Sequence, residues 1–338
     1  MDALDQHRLS AYLERHVEGF VGPLSADKFA SGQSNPTYRV DAVSGCYVLR
    51  RKPPGNLLKS AHAVDREFRV MRALENSAVP VARTYHLCLD ESIIGSVFYV
   101  MEFVQGRVLW DPALPEMERS DRAAYYDQMN QVLADVHSVD LEATGLSDYG
   151  RGGGFIERQI ALWSRQYLAS VTDRISDMDW LLKHLPNQQP VDDGQVTLIH
   201  GDFRLDNMMF DADEARVVAL VDWELSTLGH PLTDLAYQCM QLRMNHDGIM
   251  SGLAGVDREV AGIPSEEAYV ATYCQRRCIQ AIDHWDFYLA FSYFRFAAIL
   301  QGVAKRAIDG NASSDQALRM GQYVAPLAGA AVALLKSR

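Results

Sequence analysis

Hydrophobic and polar residues follow two different patterns along this chain, and the change occurs near residue 106. Before that point, short β-prone segments separated by turn residues predict strands. They lie at residues 28–30, 37–40, 46–50, 85–89 and 97–104. Apolar residues at helical spacing predict one long helix over 61–76, and a shorter helix precedes the strands at 6–20. The first hundred residues or so therefore predict a small antiparallel sheet with one long helix.

After residue 106, longer amphipathic stretches predict a mostly helical region. The predicted helices lie at residues 119–140, 154–170, 265–280, 284–307 and 313–336. Two short apolar runs, 196–199 and 217–221, interrupt them and predict brief strands. The chain has 338 residues, more than one compact core usually holds. We therefore predict an α+β protein of two lobes, an N-lobe of residues 1–104 and a C-lobe of residues 105–338.

The segment between the two brief strands carries the strongest chemical signal. It reads His200-Gly201-Asp202-Phe203-Arg204-Leu205-Asp206-Asn207, and Asp222 follows the second apolar run. Phosphoryl transfer needs a carboxylate that orients the acceptor hydroxyl, together with oxygen ligands that hold Mg²⁺ on the phosphates. We interpret Asp202 as the catalytic base, and Asn207 and Asp222 as the metal ligands. An acidic surface hairpin is the competing interpretation. We prefer it for Asp211 and Asp213, which lie at the predicted hairpin turn.

Composition narrows the possible partners and location. The formal net charge is −12, which disfavours nucleic-acid binding. It is compatible with a cationic or neutral substrate, but a solvated acidic surface is the preferred explanation. No apolar run reaches the roughly 18 residues of a membrane span, and the first residues lack a signal-peptide core. The five scattered cysteines suggest reduced thiols rather than a disulfide framework. We expect a cytoplasmic enzyme with no nucleic-acid or membrane partner.

The motif running from His200 through Asp202 and Asn207 to Asp222 resembles that of the aminoglycoside phosphotransferase and choline kinase family, relatives of the protein kinases. The resemblance covers about residues 28–234. It is closest to the kinase-like domain at the N-terminus of some multidomain acyl-CoA dehydrogenases. The segments that suggest this subgroup are residues 31–38, 47–55 and 222–224. The resemblance implies a protein-kinase-like two-lobed fold, ATP and Mg²⁺ as cofactors, and a small-molecule hydroxyl as acceptor.

The resemblance also implies a set of phosphate-binding residues. The turn that contains Gly32 and Ser34 corresponds to the glycine-rich hairpin that covers the nucleotide phosphates in protein kinases. Arg50 stands at the position of the third-strand lysine, and Glu67 at that of its helix partner. Arginine keeps the cation and binds phosphate or carboxylate with a planar fork. Because two further basic residues follow Arg50, the sequence leaves open which of the three contacts the phosphates.

Adenine recognition and loop support are implied in the same way. The Glu102 carbonyl and the Val104 N–H would bind the base edge, and Met101 would lie beside it. A plain buried strand is compatible with this role, because backbone recognition leaves little side-chain signature. We expect His200 to be a structural member of the loop rather than a base. We expect Asp234 to cap a helix and to brace the catalytic loop.

The nature of the acceptor is indicated mainly by the segment in which this sequence differs from protein kinases. Trp223 and Glu224 follow Asp222, and the chain passes quickly to Gly229, so no long activation segment or peptide-docking loop is expected. A small molecule therefore fits better than a protein. The acyl-CoA dehydrogenase association suggests a hydroxy acid or hydroxyacyl thioester. An aminoglycoside or a choline-like amino alcohol comes second, since the aromatics of the C-terminal helices are more often core than a cation cage.

Two other functions remain open from the residues alone. A catalytically idle, nucleotide-binding pseudokinase that acts as a regulatory or scaffold module would explain Arg50 at the lysine position and the single glycine of the phosphate turn. A metal-dependent phosphohydrolase is the weaker alternative, because it needs more His and Asp ligands than this loop provides.

Overall fold

The computed structural model describes residues 4–29, 35–53, 63–246, 251–310 and 316–337. The strands are β1 Leu24–Lys28, β2 Thr37–Ala42, β3 Gly45–Arg51, β4 Thr84–Cys88, β5 Phe98–Glu102, β6 Arg107–Val108, β7 Thr197–Ile199, β8 Met208–Phe210, β9 Val217–Leu220 and β10 Thr227–Gly229. The helices are α1 Gln6–His16, α2 Val64–Leu74, α3 Arg119–His137, α4 Phe155–Ser170, α5 Ser176–His184, α6 Leu232–Leu242, α7 Arg258–Ala261, α8 Glu266–Arg276, α9 Trp285–Ile308, α10 Gln316–Met320 and α11 Val324–Lys336. The structure has the predicted α+β, protein-kinase-like architecture, with a small antiparallel sheet and many helices.

The chain forms two compact units. The first comprises Met1–Val108, Glu142–Leu146 and Asn207–Ser226, and the second comprises Leu109–Leu141, Ser147–Asp206 and Thr227–Arg338. The β8–β9 hairpin thus packs with the strand-rich unit, whereas the sequence assigned it to the C-lobe. The reason is local hydrogen bonding, since β6 pairs with β8 and the Leu220 N–H donates to the Pro80 carbonyl at 2.8 Å.

A five-stranded antiparallel sheet, ordered β1-β2-β3-β5-β4, forms the centre of the first unit. Its core joins one face of α1 to the apolar side chains of the sheet. Leu9 and Leu13 of α1 are fully buried against residues such as Leu49 and Val100. The first strand begins at Leu24 rather than at residue 28, because the whole segment Leu24–Lys28 pairs with β2.

Helix α2 buries one carboxylate among its apolar residues. The helical spacing predicts an apolar stripe of Val64, Phe68, Met71 and Leu74, and Val64, Met71 and Leu74 are buried. Acidic residues in the first turn complement the helix dipole. Phe68, expected in the same stripe, is only half-buried. Glu67 instead takes a fully buried place on this face, at 1% exposure. A buried carboxylate needs compensating partners, which makes Glu67 a focus of the site described below.

The second unit is built around α9. This 24-residue helix is buried on nearly every side and packs against α4, α6, α10 and α11. Trp285–Ile308 and Ala317–Lys336 are each long and apolar enough to cross a membrane, by length and composition alone. The sequence analysis predicted no membrane span, because no uninterrupted apolar run is long enough. The apolar window of α9 is 83% buried inside the protein, which is typical of a core helix.

Several helices differ from the sequence prediction. The single helix expected over 313–336 is divided into α10 and α11 by a 3₁₀ turn at Gly321–Tyr323. Helix α5 was not predicted, and α6 was expected only as a helix start near Asp234. In α6, ten of eleven residues are buried, so the segment lacks the apolar and polar alternation by which a surface helix is recognised.

Candidate active site

Arg50 and Glu67 form a buried ion pair in the first unit. The Arg50 Nε lies 2.8 Å from the Glu67 Oε2. The Glu67 carboxylate also accepts hydrogen bonds from the Asn35 Nδ2 at 2.8 Å and from the Tyr99 hydroxyl at 3.1 Å. The structure thus brings the predicted pair together and adds two partners that were missed. Asn35 looked like an ordinary turn residue and Tyr99 like an ordinary strand aromatic, so neither gave a distinct signal.

The same arginine also contacts the predicted metal ligand Asp222. The Arg50 Nη2 lies 2.7 Å from the Asp222 Oδ1. Arg51 lies on the opposite face of β3 and is buried at 2% exposure. Of these two neighbouring arginines, Arg50 is therefore the one that faces Glu67 and Asp222, and its contact with nucleotide phosphates stays a prediction. Its planar fork contacts the two carboxylates through different nitrogens, which the single ammonium of a lysine would do less well.

The β8–β9 hairpin places Asn207 beside Asp222. Met208 pairs with Leu220, and the Val221 N–H donates to the Asn207 carbonyl at 2.9 Å. Asp222 itself has a left-handed backbone, with φ of 66°. Non-glycine residues rarely adopt this conformation, and when they do it is often at functional sites.

These two side chains have the right chemistry for Mg²⁺. Asn207 is buried at 6% exposure, whereas the Asp222 carboxylate is about a third exposed. One amide oxygen and one carboxylate are hard ligands, and Mg²⁺ is usually held by one or two carboxylates together with substrate phosphates and water. In the parts of the chain that the structure describes, no three His, Cys, Asp or Glu side chains cluster as a metal site. Asn207 and Asp222 therefore have the chemistry of Mg²⁺ ligands, and their binding of the metal stays a prediction.

Burial and charge act against each other at this ion pair. Burial raises the pKa of Glu67 to about 7, and the nearby Asp222 and Glu224 add to this, although Arg50 opposes it. Burial alone would lower the pKa of Arg50, but Glu67, Tyr99 and Asp222 outweigh it and raise that pKa further. Arg50 therefore stays charged, while Glu67 exchanges its proton near neutral pH.

We expect the stability contributed by Glu67 to fall as the pH rises from about 5 to about 8. The pKa of Glu67 is about 7 in the folded protein, against an ordinary 4.5, so the folded state binds more protons between these values. Raising the pH therefore favours unfolding, by about 3 kcal/mol over the whole interval. Urea unfolding at several pH values should show this slope in the wild type and lose it in Glu67→Gln.

A surface variant provides the control for this measurement. Glu18 is exposed, so Glu18→Gln should leave the pH dependence of stability unchanged. An identical pH slope in the wild type and in Glu67→Gln would contradict the assignment of the titrating group to Glu67.

The loop that carries Asp202 lies in the second unit and is braced by Asp234. Strand β7 ends directly before this loop and pairs with β10. The Asp234 carboxylate accepts from the His200 N–H at 2.6 Å and from the Gly201 N–H at 3.0 Å. Asp234 lies inside the first turn of α6 and does not cap it, which corrects the capping expectation. Burial alone would raise the pKa of Asp234, but His137 and His200 outweigh it and hold that pKa below its usual range.

His200 contributes to loop structure. It is fully buried, and its Nδ1 accepts from the Asp202 N–H at 3.3 Å. This geometry uses the ring to fix the backbone before Asp202, as expected of a structural residue. His137, from α3, joins the same cluster, with its Nε2 3.6 Å from the Asp234 Oδ2 and its Nδ1 2.7 Å from the Tyr273 hydroxyl.

Three further residues surround Asp202 and were not identified from the sequence. The Arg204 Nε lies 3.4 Å from the Asp202 Oδ2, and its Nη2 lies 3.1 Å from Asp206. Burial raises the pKa of Tyr237 on α6, and the nearby Asp202 carboxylate adds to this. The Arg295 Nη2 donates to the Gly201 carbonyl at 2.6 Å. Arg204 lies within the motif and could have been found, whereas the other two are on distant helices.

The structure says less about the residues predicted to bind adenine and the phosphates. Met101 and Glu102 end β5, where Met101 is half-buried and Glu102 is exposed. Val104 follows the strand and is half-buried. Their role in adenine binding stays a prediction. Gly32 and Ser34, the predicted phosphate-turn residues, lie outside the described residues.

Comparison with solved structures shows the fold. The chain superimposes on a crystal structure of a proposed aminoglycoside phosphotransferase from Ralstonia eutropha with a TM-score of 0.91 and 48% identity, over 99% of both chains. It also matches choline kinase from Cryptosporidium parvum with a TM-score of 0.66 and 11% identity, over 98% of this chain and 96% of that one. The second likeness shows the protein-kinase-like fold alone.

Comparison with known sequences shows the family. Acyl-CoA dehydrogenase family member 10 of Mus musculus is 47% identical over 94% of this chain, and family member 11 of Homo sapiens is 41% identical over 99% of it. The chain spans 30% and 44% of the length of these two relatives. The profile of the phosphotransferase enzyme family matches residues 25–290. With its fold, its motif and this match in agreement, the chain belongs to the phosphotransferase enzyme family.

Proposed function

We propose that this chain is an ATP- and Mg²⁺-dependent kinase that transfers the γ-phosphoryl group to a hydroxyl of a small molecule. The observation that carries the proposal is the position of Arg50, which contacts both the buried Glu67 and the metal-ligand candidate Asp222. A cation fixed in this way is placed to bind the phosphates of a nucleotide whose Mg²⁺ is held by Asp222. Nucleotide complexes are known for relatives of the same fold, which were crystallised with ADP or AMP-PNP.

Each polar residue has a role in this mechanism. Arg50 binds nucleotide phosphate oxygens, and Asn207 and Asp222 hold the metal. Bound Mg²⁺ supplies charge neutralisation on the phosphates. Asp202 accepts a hydrogen bond from the acceptor hydroxyl and takes its proton late, when the new bond to phosphorus is largely formed. In such reactions most of the rate comes from alignment and electrostatic stabilisation rather than from base strength.

For the acceptor we propose a hydroxy acid or a hydroxyacyl thioester. The support is that the similar relatives are named acyl-CoA dehydrogenase family members, proteins whose names point to acyl thioesters. Structures with the same fold contain hygromycin B or spectinomycin, but those proteins are only 17% and 12% identical to this chain. Aminoglycosides and choline-like amino alcohols are therefore second candidates.

A catalytically idle nucleotide-binding module is the alternative, and one contact favours it. The Arg50 guanidinium lies 2.7 Å from an Asp222 oxygen that a metal ion would need as a ligand. Metal-nucleotide binding must then compete with this ion pair. Against the idle module, Asp202, Asn207 and Asp222 are all present, and Arg50 keeps the charge of the usual lysine.

An acceptor screen separates the two functions. The protein is incubated with ATP and Mg²⁺ and, in turn, with 3-hydroxybutyrate, 3-hydroxybutyryl-CoA, choline, hygromycin B and a metabolite extract, and ADP release is followed. We expect Mg²⁺-dependent release above the acceptor-free rate, highest with the hydroxy acid or its thioester. A thermal shift with MgATP, but no ADP release with any acceptor, would support the idle module instead.

A further inference from the structure

Arg295 brings a buried positive charge to the loop that carries Asp202. It lies on α9, is 9% exposed, and donates from Nη2 to the carbonyl of Gly201 at 2.6 Å. Gly201 directly precedes Asp202, so covalent geometry places this nitrogen within about 6 Å of the Asp202 Cα. The guanidinium is therefore a close neighbour of the proposed catalytic base.

The described residues leave most donors of this guanidinium without a partner. A guanidinium carries several N–H donors and stays charged in proteins. Among the described residues, the structure shows one hydrogen bond from Arg295, the bond to Gly201, and its buried Nε has none. No carboxylate in the described parts of the chain forms an ion pair with it. A buried charge of this kind is costly unless a further partner joins it.

Two aromatic rings hold this charge without neutralising it. The Arg295 Cζ lies 5.1 Å from the centroid of the Tyr237 ring and 5.6 Å from that of Trp163. A cation over aromatic faces is attracted to them, more strongly where water is excluded. Tyr237 is 4% exposed and Trp163 is half-buried. The rings therefore fix the position of the guanidinium, but they supply no negative charge.

The second arginine near the base has a different environment. The Arg204 Nε lies 3.4 Å from the Asp202 Oδ2, and its Nη2 lies 3.1 Å from the Asp206 Oδ2. Arg204 thus faces two carboxylates, whereas the described residues give Arg295 none. Of these two cations, Arg295 is the one whose charge is available to an anion from outside the chain.

We propose that Arg295 binds an anionic group of the acceptor while the acceptor hydroxyl contacts Asp202. The inference rests on the proposed function, in which Asp202 is the base, and it specifies the acceptor as a hydroxyl compound that carries a carboxylate or a phosphate. A guanidinium binds either group with a planar fork of N–H donors. A free hydroxy acid offers the carboxylate, and a coenzyme A thioester offers phosphates.

Two pairs of acceptors test this charge preference. Each pair has the same hydroxylated carbon chain with and without the anionic group. The pairs are 3-hydroxybutyrate with its methyl ester, and 3-hydroxybutyryl-CoA with the neutral 3-hydroxybutyryl-N-acetylcysteamine thioester. In the wild type we expect kcat/KM to be about 10- to 100-fold higher for the anionic member of at least one pair, as charged hydrogen bonds provide. The pair that shows the preference identifies a carboxylate or a phosphate as the bound group.

Arg295→Gln removes the charge but keeps an N–H donor for the Gly201 carbonyl. We expect kcat/KM for the preferred anionic acceptor to fall by about 10- to 100-fold, mainly through KM. With the neutral member of the pair, kcat/KM should stay within about threefold of wild type, as should the affinity for MgATP. A residue that only supports the loop would instead reduce activity with both members equally. Arg295→Lys retains the charge and should keep part of the preference.

Arg122→Gln is the matched control. Arg122 lies in the same unit, and its guanidinium also donates to backbone carbonyls, from Nε to Met117 at 3.1 Å and from Nη1 to Ala261 at 3.2 Å. Both substitutions replace a guanidinium that bonds the main chain, so their effects on thermal unfolding should be similar. Arg122→Gln should nevertheless keep the wild-type preference for the anionic acceptor.

ADP release from MgATP measures the preference. Equal losses with the anionic and neutral acceptors in Arg295→Gln would overturn the inference, as would a wild type that favours neither anionic member. If the wild type transfers to no acceptor, the proposed function fails, and saturation-transfer NMR with butyrate and butyryl-CoA then decides the inference separately. Weaker binding in Arg295→Gln than in Arg122→Gln supports the anion site, and equal binding excludes it.

Discussion

Replacing Asp202 with asparagine is expected to lower the rate of phosphoryl transfer by about 1,000-fold while MgATP affinity stays within about threefold of wild type. Asparagine keeps the size of the side chain but cannot take the proton of the acceptor hydroxyl. The groups proposed to bind MgATP, Arg50, Asn207 and Asp222, belong to the first unit, whereas Asp202 and its partners belong to the second. The change should therefore appear in kcat and leave nucleotide binding intact.

Asp206→Asn is the matched control for this prediction. The Asp202 and Asp206 side chains are both 20% exposed, and both contact Arg204. If loss of either negative charge near Arg204 were enough to stop turnover, the two variants would behave alike. We expect Asp206→Asn to keep the rate within about tenfold of wild type. Turnover is followed by ADP release and MgATP binding by calorimetry, and a near-normal rate in Asp202→Asn would remove Asp202 from the role of base.

Replacing Asp222 with asparagine is expected to abolish turnover and also to weaken MgATP binding by about tenfold, or about 1.4 kcal/mol. The variant loses the one carboxylate proposed as a metal ligand. Asparagine is preferred to alanine here, because Asp222 has φ of 66°, a left-handed conformation that asparagine adopts more readily than other non-glycine residues. The backbone should therefore keep its course while the metal ligand is weakened.

Comparing ATP with and without Mg²⁺ separates loss of the metal from loss of the nucleotide site. In EDTA, Asp222→Asn should bind ATP at least as well as wild type, because Arg50 no longer shares its charge with Asp222. The control is Asp213→Asn, an exposed carboxylate in the turn of the same β8–β9 hairpin. Calorimetry should show wild-type MgATP affinity for Asp213→Asn. Equal loss of affinity with and without Mg²⁺ in Asp222→Asn would argue against a metal-binding role.

Much of the first unit could be predicted because its strands and turns are local features. β2, β3, β4 and β5 appear within a few residues of their predicted positions, since turn residues separate β-prone segments there. Helix α6 was expected only as a helix start, because almost complete burial removes the polar face that makes a helix recognisable. The break between α10 and α11 was also invisible to periodicity, since the apolar pattern continues across it.

The candidate site divides along the same line. Asp202, Asn207 and Asp222 could be predicted as candidates because they lie within one short stretch of sequence and have the spacing of the motif. Tyr237 and Arg295 were not, because buried side chains on core helices look like packing until their contacts are known. The bond from Arg295 to the Gly201 carbonyl spans 94 positions in sequence, and no local pattern predicts it.

The amino-acid sequence by itself determined the fold class, the candidate residues of the phosphoryl-transfer motif and the presence of arginine where protein kinases have lysine. Only the tertiary structure decided what those residues contact. Arg50 joins Glu67 and also Asp222, which lies 172 positions away in sequence. Local spacing specifies helices, strands and turns, whereas a long charged side chain takes its partners from whichever distant segments the fold places beside it.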